Sequence, residues 1–434
     1  MSNVEIGIAS IAMILVLIQS GMHVAIALML VSFFGVYFVK GKFIIAGALL
    51  SQAALDGVAR YSFGVIPLFV LMGVLVGACG LGRDVFDVAG QMFRKFRGGL
   101  GIATVFANAV FAAVNGTSIA SASVFTKVAV PELMRQGYTA RFSVGVVAGS
   151  SVLGMLIPPS LLLILYGIIA EVSIGDLFTA GIVPGIVLSL LFCVAILMLA
   201  RFAPGFTGTP QNSDLPMMSR STMTLKSAPI VALILLVLGG IYGGFFTPTE
   251  AGGVGALGAL VIAVVKGRLD WREIGRILLE TGQVTASITF LIIAAHMYSR
   301  LLALTGLPSE MTSLISAFDL GLYGVMLLYL LAILLLGTIL DSSSILLILL
   351  PLILPVVLPL GVDVIWFGIV TIIAVEVGLL TPPLGVACFV IKANLEDDRI
   401  TLNDIFAGAA PFAIIMVIMV GLVMAMPWLA VGIL

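Results

Sequence analysis

A chain of 434 residues with 61% hydrophobic side chains, 48 glycines and only 9% Asp, Glu, Lys or Arg has too little charge to cover a water-soluble surface, where about 25% is usual. Its formal net charge of −1 offers no basic footprint for nucleic acid or an anionic surface. The apolar runs are continuous rather than alternating, which sets aside an outer-membrane barrel as well as disorder, and many approach the ~20 residues that span a bilayer.

In chain order, the opening stretch MSNVEIGIASIAMILVLIQS contains no Lys or Arg, and the first is Lys40. Without the basic start of a secretory signal, the first apolar segment is expected to stay in the protein. Apolar segments fall at about 4–20, 22–39, 63–82, 100–117, 118–134, 142–170 and 177–200. After the longest hydrophilic break, 201–227, they resume at 228–245, 250–266, 284–304, 322–339, 342–360, 364–391 and 407–431. Cys79, Cys193 and Cys388 lie in apolar stretches without CxxC spacing and read as free structural thiols.

The central break suggests two halves, and an offset of 224 residues relates them. Lys42 falls on Lys266, Ser118 on Ser342, Pro131 on Pro355 and Gly137 on Gly361. Gly154 falls on Gly378, and Pro158-Pro159 on Pro382-Pro383. A shared frame that joins two double-proline breaks points to an internal duplication: 1–200, a cytoplasmic linker at 201–227, and 228–434.

Segments 100–117 and 118–134 are separated only by Asn115-Gly116-Thr117-Ser118. Read as a re-entrant hairpin, the pair puts Arg94, Lys95, Arg97, Arg135 and Arg141 on one side, as the positive-inside rule favours. Continuing the walk places all of the 20 Lys and Arg in the cytoplasm except Lys40, Lys42, Arg60 and Arg300. The second hairpin, about 320–362, then opens on the other face. Each half has five spans plus one hairpin, an odd number of crossings, so the second copy is inverted and both termini are periplasmic. Gly41–Arg60 and Asp270–Gly282 are amphipathic and read as interfacial helices.

Chemistry concentrates in two paired stretches: Asn115–Ser118 with Gly154-Met-Leu-Ile-Pro-Pro-Ser160, and Gly337-Thr-Ile-Leu-Asp341 with Gly378-Leu-Leu-Thr-Pro-Pro383. Proline removes a helical donor and clashes with the preceding turn. Two in succession after a glycine should unwind a span near its middle. Unwound backbone survives in hydrocarbon only when buried in protein or lining a wet cavity. Its carbonyls, with Ser, Thr and Asn oxygens, suit a hard monovalent cation such as Na⁺, and nearby helix N-termini suit an anionic substrate.

These residues resemble a family, the large membrane (M) subunit of tripartite ATP-independent periplasmic (TRAP) transporters, within the ion-transporter superfamily. The stretches that carry the resemblance are Asn115–Ser118, PELMRQGY at 131–138, IPPS at 157–160, FTPTEA at 246–251, GTILD at 337–341 and GLLTPPLG at 378–385. The resemblance implies an all-α polytopic membrane protein with an inverted-topology repeat and two re-entrant helical hairpins. It further implies an elevator-type scaffold and a moving transport domain in the bacterial inner membrane. It implies Na⁺ as the coupling ion, a small organic acid of the sialic acid or C4-dicarboxylate class as substrate, and delivery by a periplasmic substrate-binding protein. A separate small membrane (Q) subunit is implied too, because no four-helix extension is seen. By motif, one Na⁺ site takes Asn115, Thr117 or Ser118 with carbonyls of Gly154, Ile157 and Pro159. The other takes Gly337 and Thr338 with Gly378, Thr381 and Leu384. Asn115 stands where the family's S-G-S-S turn has Ser, and it keeps a side-chain oxygen.

Isolated ionisable residues in the membrane are functional hypotheses by default. Asp341 either contributes to Na⁺ binding or orients its hairpin. Glu376 touches ion or substrate, or is a structural carboxylate with its own partner. Arg300 pairs with a substrate carboxylate, or snorkels to the periplasmic interface. Lys127 reads as lying on a wet hairpin limb, and His23 and His296 as structural. Glu250 reads as a helix-start residue, with Thr247 or Thr249 as cap. There is no GxSxG with a plausible His and no pair of intramembrane Asp for an enzyme. No P-loop is present, so ATP does not drive transport through this chain. Closed tips favour alternating access over a channel. The alternative carrier is a binding-protein-independent Na⁺/dicarboxylate symporter or ion antiporter of the same fold.

Overall fold

A computed structural model describes residues 2–208 and 217–434, so part of the expected linker at 201–227 lies outside the described residues. The first half contains α1 (Asn3–Gln19), α2 (Val24–Lys40), α3 (Phe43–Val58), α4 (Val65–Ala78), α5 (Leu81–Phe93) and α6 (Gly99–Asn115). It continues with α7 (Ser118–Arg135), α8 (Ala140–Ser151), α9 (Leu153–Leu156), α10 (Leu161–Ala170), α11 (Ile174–Phe202) and α12 (Pro204–Thr207). The second contains α13 (Arg220–Tyr242), α14 (Pro248–Val265), α15 (Trp271–Thr305), α16 (Leu307–Ala317) and α17 (Leu322–Gly337). After these come α18 (Ser342–Val357), α19 (Val364–Gly378), α20 (Val386–Asn394), α21 (Leu402–Ala425) and α22 (Trp428–Val431). Among the described residues there is no β-strand, only an isolated bridge between Tyr138 and Gly208. Among the described residues, eight helical stretches are long and apolar enough to cross a membrane. That is the expected form in lipid, where each backbone polar group must find its partner within the helix.

Displaced by 224 residues, α5 falls on α16, α6 on α17, α7 on α18, α8 on α19 and α10 on α20. Helix starts agree as well. Thr117 and Asp341 are the N-caps of α7 and α18, and Thr139 and Asp363 those of α8 and α19.

Two packing groups emerge. In one, α4 lies along α14, and α2 and α3 lie along α15. In the other, α8 crosses α21, α7 meets α20 and α10 meets α18. Small residues permit these crossings, as is usual between membrane helices. A Cβ on Gly145 would strike the Gly408 backbone, and one on Gly149 the Phe412 ring.

The sequence expectation needs two adjustments. Asp270–Gly282 and 284–304 form one helix, α15, rather than an interfacial helix followed by a span. The only interruption available there is Gly282, and one glycine costs a helix only about 1 kcal/mol. The helices α5 and α16 are further elements, each following an apolar helix after only a short turn. Charge clusters bracket α4. Near its start Arg60 pairs with Glu171 at 2.5 Å, and Arg300 with Asp56 at 2.5 Å. Beyond its end Asp84 pairs with Lys266, and Asp87 with Lys226.

Candidate functional site

The first tip is built by a left-handed turn. Asn115 ends α6, Gly116 caps it at φ 70°, and extended Thr117 opens α7. Gly116 is required twice, for its positive φ and because a Cβ there would come within 2.7 Å of the Pro159 carbonyl oxygen. Leu161 N donates to Gly116 O at 3.0 Å, so the tip is stitched to the first break. Asn115 Nδ2 donates to both the carbonyl and the hydroxyl oxygen of Thr117, each at 3.1 Å. A Cβ on Gly154 would sit 2.6 Å from Thr117 O. The first tip therefore meets the first break at two points, Gly116 against the Pro159 carbonyl and Gly154 against the Thr117 carbonyl.

The break itself forms as the double proline requires. The run α8–α9 stops at Leu156, Ile157 is extended, and the Pro158-Pro159 peptide bond is cis. Ser160 then caps α10, accepting from Leu163 N at 3.3 Å while its hydroxyl donates to Met155 O. Ser118 and Ser121, on the first turn of α7, are fully buried and their hydroxyls have no hydrogen-bond partner.

The second tip meets its break through two glycines. A Cβ on Gly337 would stand 2.6 Å from the Gly378 Cα, and the converse distance is also 2.6 Å. After Gly378 the chain leaves the helix, passes the cis Pro382-Pro383 bond and re-enters helix at Val386. Leu384 N donates to Thr338 O at 3.1 Å. The hydroxyls of Thr338 and Thr381 bond back to Leu335 O at 2.8 Å and Val377 O at 2.7 Å. Gly337, Thr338, Gly378, Thr381 and Leu384 are thus brought together. A cavity of about 500 Å³ opens beside this break, lined by Thr381, Pro382, Phe406 and Arg141, whose Nε bonds Asp404 at 2.7 Å.

The isolated ionisable residues separate. Asp341 is the side-chain N-cap of α18, accepting from Ser343 N at 3.1 Å, Ser344 N at 3.3 Å and the Ser344 hydroxyl. That engagement fits the hairpin-orienting alternative. Arg300 donates to Leu49 O at 2.7 Å and Asp56 Oδ2 at 2.5 Å. These two bonds tie α15 to α3. Glu376 is 1% exposed and accepts from Ser342 Oγ at 2.8 Å. Ser118 lies alongside the same carboxyl group. Lys127 is exposed beside a cavity of about 570 Å³ that Arg135, Asn394 and Arg399 also line. Glu250 and Thr247 form a capping box at the start of α14. Sequence reasoning missed Gly73 of α4, where a Cβ would lie 2.9 Å from Asn115 O. It missed the convergence on Glu376 too, although the repeat frame already aligned Ser118 with Ser342.

A polytopic helical protein with two helix-turn tips lodged against two proline-broken helices is the architecture of a membrane carrier. The sequence matches the family model "Tripartite ATP-independent periplasmic transporter, DctM component" over residues 11–429, and the chain belongs to that family. It is 33% identical over 376 residues to the C4-dicarboxylate TRAP transporter large permease protein DctM of Pseudomonas aeruginosa, covering 85% of each chain. To the sialic acid TRAP transporter large permease protein SiaM of Vibrio cholerae it is 31% identical over 381 residues, covering 87% of each. Among solved structures, the Alcanivorax borkumensis YdaH transporter superposes with a TM-score of 0.57 over 85% of this chain and 88% of that one, at 15% identity. That likeness concerns the fold alone.

Proposed function

We propose that this protein is the large permease subunit of a Na⁺-coupled carrier that imports a small organic acid by an elevator mechanism. One observation carries the reading: each tip is lodged against its own proline-broken helix, Gly116 on Pro159 and Gly337 on Gly378. Backbone carbonyls and hydroxyls in such a place are the oxygen donors a hard cation takes in exchange for water. The first Na⁺ site comprises Asn115, Thr117, Ser118, Gly154, Ile157 and Pro159, and the second Gly337, Thr338, Gly378, Thr381 and Leu384. Na⁺ ordering the tips would create the substrate pocket between them, and the linkage must then be reciprocal.

The two packing groups support a scaffold of α1–α4 with α13–α15 and a transport body built on the tips and broken helices. The element-by-element offset of 224 residues supports an inverted repeat with re-entrant hairpins and periplasmic termini. The named substrates of the relatives support an organic acid of the C4-dicarboxylate or sialic acid class. Their family supports a bacterial inner-membrane site, a periplasmic substrate-binding protein that delivers the acid, and a small membrane subunit beside the scaffold. The test is uptake of labelled succinate and N-acetylneuraminate into proteoliposomes holding the chain with its small subunit and binding protein. Uptake that needs an inward Na⁺ gradient and stops without the binding protein is expected. Uptake unchanged when K⁺ replaces Na⁺ overturns the Na⁺-coupled reading, and uptake that persists without the binding protein selects a symporter of the same fold.

A further inference from the structure

Ser118 and Ser342 begin the second helices of the two tips and are equivalent under the 224-residue offset. Both come to one carboxyl group. Glu376 Oε1 accepts from Ser342 Oγ at 2.8 Å. Ser118 Oγ lies within interacting reach of the same carboxyl group, but neither it nor Glu376 Oε2 completes a hydrogen bond of normal geometry. The bridge between the tips is half made: one side is bonded, while on the other a donor and an acceptor stand side by side unjoined.

Packing does not require an acid here. The position equivalent to Glu376 in the first half is Val152, which is buried at the turn between α8 and α9. An acid at 1% exposure with one oxygen unpartnered is costly to keep. Among the described residues no Lys, Arg or His forms an ion pair with it. Asp341 is engaged as the cap of α18, and Asp404 with Arg141.

We propose that Glu376 is a positioning residue that couples the two tips, its oxygens holding Ser118 and Ser342 in register so that ordering one tip raises the cation affinity of the other. The inference rests on the Na⁺-carrier reading above. A bridge through one rigid side chain is the physical link that a coupling free energy between two sites requires. The inverted repeat by itself supplies two separate sites and no such link.

The experiment is equilibrium binding of ²²Na⁺ to the full chain in lipid nanodiscs, comparing wild type with Glu376→Val, Glu376→Gln and Ser342→Ala. Valine is what the equivalent position carries, and glutamine keeps an acceptor for Ser342 and gains a donor for Ser118. Wild type is expected to bind with a Hill slope above 1. Glu376→Val is expected to flatten the slope to 1 and raise half-saturating Na⁺ by about tenfold, within the usual range of coupling between sites. Glu376→Gln should keep the slope, and Ser342→Ala should lose it. An unchanged slope and midpoint in Glu376→Val, a glutamine variant no better than valine, or a wild-type slope of 1 overturns the proposal. If Glu376→Val does not fold, the contrast between Glu376→Gln and Ser342→Ala decides. A wild-type chain that binds no Na⁺ at all refutes the carrier reading instead, so the two failures are distinguishable.

Discussion

Gly337 and Gly378 meet backbone to backbone, each leaving room for no more than a hydrogen where the other's Cα passes. One glycine ends the first helix of the second tip, and the other ends the helix before the second proline break. Alanine at either position forces a methyl group to within 2.6 Å of backbone that cannot move aside like a side chain. Overpacking of this kind costs about 1–3 kcal/mol. Gly378→Ala is expected to reduce Na⁺-driven uptake by at least tenfold while the protein still inserts and purifies as a single species. Wild-type uptake by the alanine variant would show that the tip does not seat there during transport.

Asp341 distinguishes a capping role from an ionic one. As N-cap of α18 it accepts two backbone N–H groups, and asparagine caps helices about as well as aspartate. Asp341→Asn should therefore leave half-saturating Na⁺ within about twofold of wild type. Asp341→Ala should lower thermal stability by about 1 kcal/mol. A large rise in half-saturating Na⁺ for the asparagine variant would return the charge to the ion site.

Much of this arrangement is legible in the residues themselves. Paired prolines at 158–159 and 382–383 announce two broken helices, because proline removes a donor and clashes whatever the surroundings. The turn at Asn115–Ser118 is visible for a similar reason: a glycine between polar residues in an apolar run can only be a tip or a loop. What could not be read depends on side-chain partners from distant segments. Nothing in the sequence links Arg300 to Asp56, 244 residues earlier, which lies beside it. Glu376 resembles an isolated acid until Ser342 reaches it from another helix. The amphipathic α5 escaped notice because its apolar face, including Leu81, Val85 and Phe86, follows an apolar span with only a short turn between them.

Asn115 holds the first tip through two hydrogen bonds from one amide, to Thr117 O and Thr117 Oγ1. Removing a buried hydrogen-bonding group that leaves its partners unsatisfied costs about 1–3 kcal/mol. Asn115→Ala is expected to raise half-saturating Na⁺ by about tenfold. Asn115→Ser, which restores a side-chain oxygen but not the double donor, should fall between alanine and wild type. Equal behaviour of all three in a ²²Na⁺ binding titration would remove Asn115 from the ion site.

Arg300 makes the opposite prediction, an effect on stability without an effect on substrate. Its guanidinium ties α15 to α3 through Asp56 and the Leu49 carbonyl. The pair is only part-buried, with Asp56 48% exposed, so the ion pair contributes about 0–1 kcal/mol. The bond to Leu49 O is the more buried of the two, and lysine can reach one acceptor as a point charge but cannot span both with a planar fork. Arg300→Lys should then lower the unfolding midpoint of the purified protein slightly, and Arg300→Ala more. In both variants the KM for the transported acid should remain within about twofold of wild type. Had the guanidinium bound the substrate carboxylate, loss of that charge-assisted bond would cost about 1.5–3 kcal/mol, a KM rise of more than tenfold, and kinetics on the alanine variant separate the two outcomes.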